Sequence, residues 1–170
     1  MLNIRKASPD ELGRLMEIYR TAQDYMIATG NPNQWGHFNP PEERVKEDIR
    51  TGISHVIFDE SGIHGVFAMC AGEDPTYSYI ENGSWLNDGL YITVHRIASD
   101  QKVHGVFDCA IEYCKARADN IRIDTHAENR IMQKLIKRNG FKECGTIYLA
   151  NGSPRMAFQW SRERETQKTY

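Results

Sequence analysis

The chain has 170 residues, 40% of them hydrophobic and 26% charged, enough to bury a proper core with ordinary globular composition. Lys+Arg 21 against Asp+Glu 23 leaves a formal net charge of −2, without the basic footprint of a nucleic-acid binder. No apolar run is long enough to cross a bilayer, the first residues lack the apolar stretch of a signal peptide, and Cys70, Cys109, Cys114 and Cys144 form no CxxC pair. The expectation is a cytoplasmic protein with reduced core thiols and no bound metal.

In chain order, residues 1–7 read as a first strand. Ser8-Pro9-Asp10-Glu11 is a helix start, with Ser8 as N-cap, Pro9 at the first helical position and Glu11 closing a capping box. Leu12, Leu15, Met16, Ile18, Tyr19, Ala22 and Met26 then recur at helical spacing up to about Gly30. Residues 31–41 are irregular around Trp35, His37 and Phe38, and a more polar helix runs from about Pro41 to Arg50, ending at Gly52. Residues 55–59 and 63–71 form a hairpin across Glu60-Ser61-Gly62. Residues 72–87 are a long polar connection, partly strand near Tyr77-Ser78-Tyr79-Ile80. Residues 142–149 and 155–160 close the chain as a hairpin across Asn151-Gly152-Ser153-Pro154, and 161–170 form a polar tail.

Between these hairpins, residues 91–141 read as one unit. A strand over 91–98 turns through Ser99-Asp100-Gln101 into a helix opening at Lys102, a second strand covers 121–126, and a second helix runs from Asn129 to Gly140-Phe141. A strand that turns tightly into a helix leaves several N–H groups free and parallel, an anion site that needs no charged side chain. Gly105 lets the backbone approach a phosphate, Lys102 adds a point charge, and the N–H groups of Val103, His104, Gly105, Val106 and Phe107 cradle a pyrophosphate. There is no Gly-Lys-Ser/Thr and no GxGxxG, so neither a P-loop nor a dinucleotide fold is indicated.

Lys102-Val103-His104-Gly105-Val106-Phe107 is similar to the Q/R-x-x-G-x-G/A acetyl-CoA loop of the GNAT superfamily of N-acetyltransferases. Asn129-x-x-Met132-x-x-x-Ile136-x-x-x-Gly140-Phe141 is similar to its Asn…Gly-Phe segment, and the element order of nearly the whole chain resembles that family's. The resemblance implies a mixed α/β (α+β) fold: a GNAT-like central, mostly antiparallel sheet of about seven strands flanked by four helices, in one acyl-CoA-dependent acyltransferase domain over residues 1–160. It also implies that acetyl-CoA lies along His95, Arg96 and Ile97, with Asn129 bonded to the pantetheine arm and the N–H near Ile97 holding the oxyanion. Dimers are common in the resembled family, so a homodimer is among the expectations.

Three departures stand out. Lys102 replaces Arg or Gln, Phe107 replaces a small residue and narrows the pyrophosphate seat, and Ile136 stands where many members carry the tyrosine that protonates the leaving thiolate. The expected activity is N-acetyl (or other acyl) transfer by direct attack of a primary amine of a small molecule or peptide. The alternative is a CoA-binding sensor or interaction module with little catalysis, which Ile136 favours. His95 is the first candidate base, or else a histidine hydrogen-bonded within the sheet. Glu73 is the second, or a solvated hairpin carboxylate; Tyr148 is the candidate acid, or an edge-strand tyrosine. Asp124 and His126 share a strand face and can pair, whereas neither they nor His55 with His64 make a metal set. Tyr25, Trp35, His37 and Phe38 are the candidate acceptor wall, faced by Tyr77, Tyr79 and Trp85, with aromatic faces suited to a cationic amine.

Overall fold

The computed structural model describes residues 1–162. Strand β1 (Asn3–Lys6) leads through a 3-10 turn (Pro9–Glu11) into helix α1 (Leu12–Ala28), then α2 (Glu42–Arg50) and the hairpin β2 (Ser54–Asp59)–β3 (Gly62–Ala71). A 3-10 turn (Pro75–Tyr77) interrupts the connection to β4 (Ile92–Ser99). Then follow α3 (Val106–Lys115), β5 (Asn120–Thr125), α4 (Arg130–Arg138), β6 (Lys142–Tyr148) and β7 (Pro154–Ser161). The seven strands form one sheet in the order β1-β2-β3-β4-β5-β7-β6, antiparallel except for β4 beside β5. The expected seven strands and four helices, with a mostly antiparallel sheet, are all present. No helix among the described residues is long and apolar enough to cross a membrane.

Strand alternation distributes the core over both faces of the sheet. Val56, Val66 and Ala98 meet Leu15, Ile18, Tyr19 and Ala22 of α1 and Val45 and Ile49 of α2. Their neighbours Ile57 and Phe67, with Val94, Ile121, Ile123 and Phe158, meet α3 and α4 on the opposite face. Gly65 sets the seat of α3: a Cβ there would lie 2.5 Å from Val106 Cγ1 and 3.0 Å from Ile57 Cδ1. All four cysteines are free, Cys114 and Cys144 buried.

Several expected boundaries move, each for a local reason. The capping box at Ser8 forms, yet the first turn is 3-10 and the α-helix proper begins at Leu12. Residues 77–80 are not a strand: Asp74 N-caps a turn with Pro75 at its first position and accepts the Thr76 N–H at 2.9 Å, leaving only a bridge between Glu81 and Thr146. The helix expected from Lys102 starts at Val106, because Ser99 Oγ and Asp100 Oδ1 capture the N–H groups of Gln101 (3.1 Å) and Lys102 (3.0 Å) and hold a turn. Of the tail expected over 161–170, Ser161 ends β7, Arg162 pairs with Asp119 at 2.7 Å, and 163–170 lie outside the described residues.

The feature that makes room for a site lies between β4 and β5. They pair only at Ile92↔Ile121 and Thr93↔Arg122, after which both strands run on without pairing each other. The cause is a bulge in β4: the pairing with β3 passes from Ala68↔His95 to Val66↔Ala98, so Arg96 and Ile97 together oppose Phe67. Arg96 sits at φ 52°, a left-handed conformation that costs a non-glycine residue about 1–3 kcal/mol. Two contacts hold it there. Buried Asp48 takes its Nε and Nη2 at 2.7 and 3.0 Å, and the Tyr19 hydroxyl donates to its carbonyl at 3.0 Å.

Two outcomes test this arrangement. Gly65→Val, which drives a side chain into Val106, is expected to lower stability by about 1–3 kcal/mol, read as a lower urea midpoint with an unchanged slope. Asp48→Ala strands the Arg96 guanidinium at the bulge and is expected to cost about 3 kcal/mol in the same measurement.

Candidate functional site

Two cavities meet where β4 and β5 part, sharing Met26, Ile97 and Met132 in their walls. The one toward α3 and α4 has a volume of about 580 Å³. The one toward the end of α1, residues 34–39 and the turn between β6 and β7 has a volume of about 310 Å³.

The larger cavity ends at the loop between β4 and α3. Asp100, buried beneath that loop, receives the Lys102 N–H on Oδ1, while Oδ2 takes Arg14 Nη2 at 2.6 Å and lies 3.0 Å from His64 Nδ1. Gln101 at φ 62° and Gly105 at φ 82° turn the backbone over this anchor. As a result the N–H groups of Val103, His104, Gly105, Val106, Phe107 and Asp108 make no intramolecular hydrogen bond among the described residues; Cys109 makes the first helical one, to Gly105 at 2.9 Å. These donors and the positive end of α3 favour an anion at the mouth of the cavity. The space beside Gly105 is open, with nothing within 4 Å of where a Cβ would stand.

The smaller cavity carries the titratable groups. His95 Nε2 lies 2.7 Å from Asp74 Oδ2, and Asp74 Oδ1 also accepts the Thr76 N–H and hydroxyl. The bond from His95, helped by those from Thr76, holds the Asp74 carboxyl down at about 2. An ionised acceptor makes Nε2 the hydrogen-bond donor of this pair. Beside His95, Tyr77 donates its hydroxyl to Asp124 Oδ2 at 2.6 Å. Burial pushes the Asp124 carboxyl up and the Tyr77 hydroxyl well above its usual range. Gln34 and Arg155 complete the polar lining, and Trp35, edge-on to Tyr19 at 5.8 Å, supplies an aromatic wall.

Of the residues singled out in the sequence, the structure brings His95, Arg96, Ile97 and Trp35 to the smaller cavity. It brings Tyr25, Val103, His104, Gly105, Val106, Phe107 and Asn129 to the larger one. Lys102 has an exposed side chain and lines neither of the two. Phe107 lines the larger cavity while packing its ring against the core at 6% exposure. Asn129 has its side chain engaged: Oδ1 caps α4 through the Met132 N–H at 3.0 Å, and Nδ2 donates to Gln34 Oε1 at 3.0 Å. Ile136 is fully buried in the core.

Other candidates lie elsewhere. Glu73 is exposed on a separate cavity beneath the 72–91 connection; Asp74 and Tyr77 line that cavity too, but Asp74 reaches His95 whereas Glu73 makes no side-chain hydrogen bond among the described residues. Trp85 lines that separate cavity too, stacked 4.1 Å from the Arg122 guanidinium and donating to the Tyr77 carbonyl. Tyr148 points to the sheet edge, where it and Tyr79 both donate to Glu81, at 2.6 and 2.7 Å. Tyr25 faces the larger cavity rather than an acceptor wall, and His37 and Phe38 are exposed beside one another. Asp124 bonds Tyr77 rather than His126, whose Nδ1 accepts the Glu128 N–H.

Asp74, Gln34 and Arg155 went unnoticed as site residues. Asp74-Pro75 is a legible turn start, whereas nothing local distinguishes Gln34 or Arg155.

No family model matches the chain, and no curated protein matches it. Solved structures do. A GNAT-family acetyltransferase from Streptococcus agalactiae 2603 is 27% identical with a TM-score of 0.87, covering 96% of both chains. One from Bacillus cereus ATCC 10987 is 20% identical with a TM-score of 0.62, over 96% of this chain and 99% of that one. The ribosomal-protein-S18-alanine N-acetyltransferase from Escherichia coli is 12% identical with a TM-score of 0.63, over 100% and 99%. The last two share the fold; the first shares sequence as well, over nearly the whole length of both chains, and with it the chain belongs to the GNAT superfamily.

Proposed function

We propose that the protein is an acetyl-CoA-dependent N-acetyltransferase that acts on a primary amine of a small molecule. The observation that carries this reading is the continuous cleft. Six free N–H groups line one mouth, His95 lines the other with Asp74 bonded behind it, and Ile97 stands at the junction.

The N–H groups of Val103 to Asp108 and the α3 dipole would hold the pyrophosphate. The unpaired run of β4 beyond Thr93 would pair with the pantetheine amides as an added strand, which brings the thioester to the bulge. That co-substrate supplies an activated acetyl group. The Ile97 N–H, just past the bulge, is the donor for the oxyanion.

Acceptor amines arrive protonated. His95 takes one proton on Nδ1, and Asp74 stabilises the resulting imidazolium through Nε2. The freed nitrogen forms the new N–C bond while the C–S bond breaks. Its second proton leaves with the sulfur, so the products are an amide and a free thiol. A separate acid is unnecessary in this scheme, which matters because Ile136 is buried and Tyr148 is turned to Glu81.

The competing reading, a CoA-binding module with little turnover, draws on that same buried Ile136. Thiol release from acetyl-CoA across an amine panel separates the two: turnover supports the transferase, and tight CoA binding without turnover supports the module.

Gly105→Glu puts bulk and negative charge at the anion seat without a steric clash in the protein. The expected result is a loss of CoA affinity of about 100-fold or more by calorimetry, with a thermal midpoint lowered only by the strain of φ 82°. Unaltered binding would mean that the co-substrate sits elsewhere. His95→Ala should lower kcat by about 10²- to 10⁴-fold and flatten the acidic limb of the pH–rate profile. An unchanged profile removes His95 as the base.

A further inference from the structure

Arg155 is buried at 6% exposure in the wall of the smaller cavity, near the start of β7. Its Nη1 is anchored by Ser153 Oγ at 2.6 Å and the Pro154 carbonyl at 2.9 Å. Its Nε and Nη2 make no intramolecular hydrogen bond, and the guanidinium forms no ion pair, among the described residues. A buried cation without a directly bonded anion is costly, and folded proteins ordinarily pair one. The other arginine of the cavity offers no such capacity, because Asp48 holds Arg96 through both Nε and Nη2.

The same wall holds a partly buried anion. Asp124 Oδ2 accepts from Tyr77, while Oδ1 makes no hydrogen bond among the described residues. Asp124 and Arg155 line one cavity and feel each other's charge across it without direct contact, which leaves room for a ligand between them. Burial weakens the hold of both on their charged forms, which a ligand of opposite charge at each would restore.

We propose that the acceptor is a small zwitterion of the amino-acid class, its carboxylate held by the Nε–Nη2 edge of Arg155 and its amino group presented between Asp124 and His95. This rests on the acetyl-transfer reading above. A planar guanidinium edge with two parallel donors matches a carboxylate bidentately and fixes its direction. About 310 Å³ admits a small molecule of this kind, and Trp35, Met26 and Leu149 give its side chain an apolar wall. Arg155 is thus a specificity residue, which acts on the acceptor's far end and not on the reacting atoms.

The test compares each common amino acid with the amine left when its carboxylate is removed, by thiol release from acetyl-CoA. The expected result is a kcat/KM about 10- to 100-fold higher for at least one amino acid than for its decarboxylated counterpart. Arg155→Met should raise the KM for that amino acid by a similar factor, leave kcat nearly unchanged and leave the decarboxylated amine unaffected, with Arg155→Lys in between. Equal turnover of both substrates by the native protein, or an equal loss for both in Arg155→Met, overturns the proposal. The second arm is calorimetric titration of CoA-saturated protein with the same panel. If amino acids bind the native protein but not Arg155→Met and none is acetylated, the carboxylate subsite stands and the transferase reading falls. If acetyl transfer occurs only to amines without a carboxylate, the transferase reading stands and the subsite falls. If no amino acid binds or reacts, the subsite falls.

Discussion

The Arg96 bulge is the constraint on which the rest of the cleft depends. One extra residue in β4 breaks its register with β3, turns the chain at a left-handed φ and separates β4 from β5 after two paired positions. Such a conformation does not persist on its own. Asp48 from α2 and Tyr19 from α1 hold it, through the guanidinium and the carbonyl of the same residue. Both helices pack on the sheet through the apolar stripe that the sequence shows plainly. The polar residues on their buried sides are what convert that packing into a split sheet.

Buried and partly buried carboxylates recur as the means of positioning. Asp48 holds the bulge, Asp100 holds the turn that aims six N–H groups at the larger cavity, and Asp74 fixes the ring of His95. In each case the carboxylate meets backbone N–H groups or a cationic side chain, so its desolvation is offset and its partner is locked in direction. Asp124 and Arg155 differ: they line the same cavity, and each keeps acceptor or donor capacity unused. This contrast between charges paired for architecture and charges left open separates the scaffold from the surface proposed to meet the acceptor.

Much of the fold was legible because periodicity and turn chemistry are local. The Glu60-Ser61-Gly62 hairpin, the Ser8 capping box, the amphipathic α1 and the Gly140-Phe141 stop follow from neighbours in sequence. The errors were local too, where two signals competed. Asp74-Pro75 imposed a turn on a Tyr-rich stretch that looks extended, and Asp100 delayed a helix by capturing the Lys102 N–H. Glu73 and Tyr148 illustrate a different failure: residue type was right for catalysis, but the direction of a side chain at a loop or sheet edge is set by what packs over it.

The sequence by itself determined the order of elements, the two amphipathic layers and the turn around Gly105 that leaves helical N–H groups free, since these depend on hydrophobic period and capping residues. The choice of partners needed the tertiary structure. His95 meets Asp74 from 21 residues away, Tyr77 meets Asp124 across 47, and Arg96 meets Asp48 across 48. The physical reason is that hydrogen-bond pairing between distant segments depends on sheet register and on how the 72–91 connection folds over the sheet. Neither leaves a period or a motif in the chain. The segment around Gly105 therefore pointed to the kind of ligand, and only the folded sheet decided which groups face it.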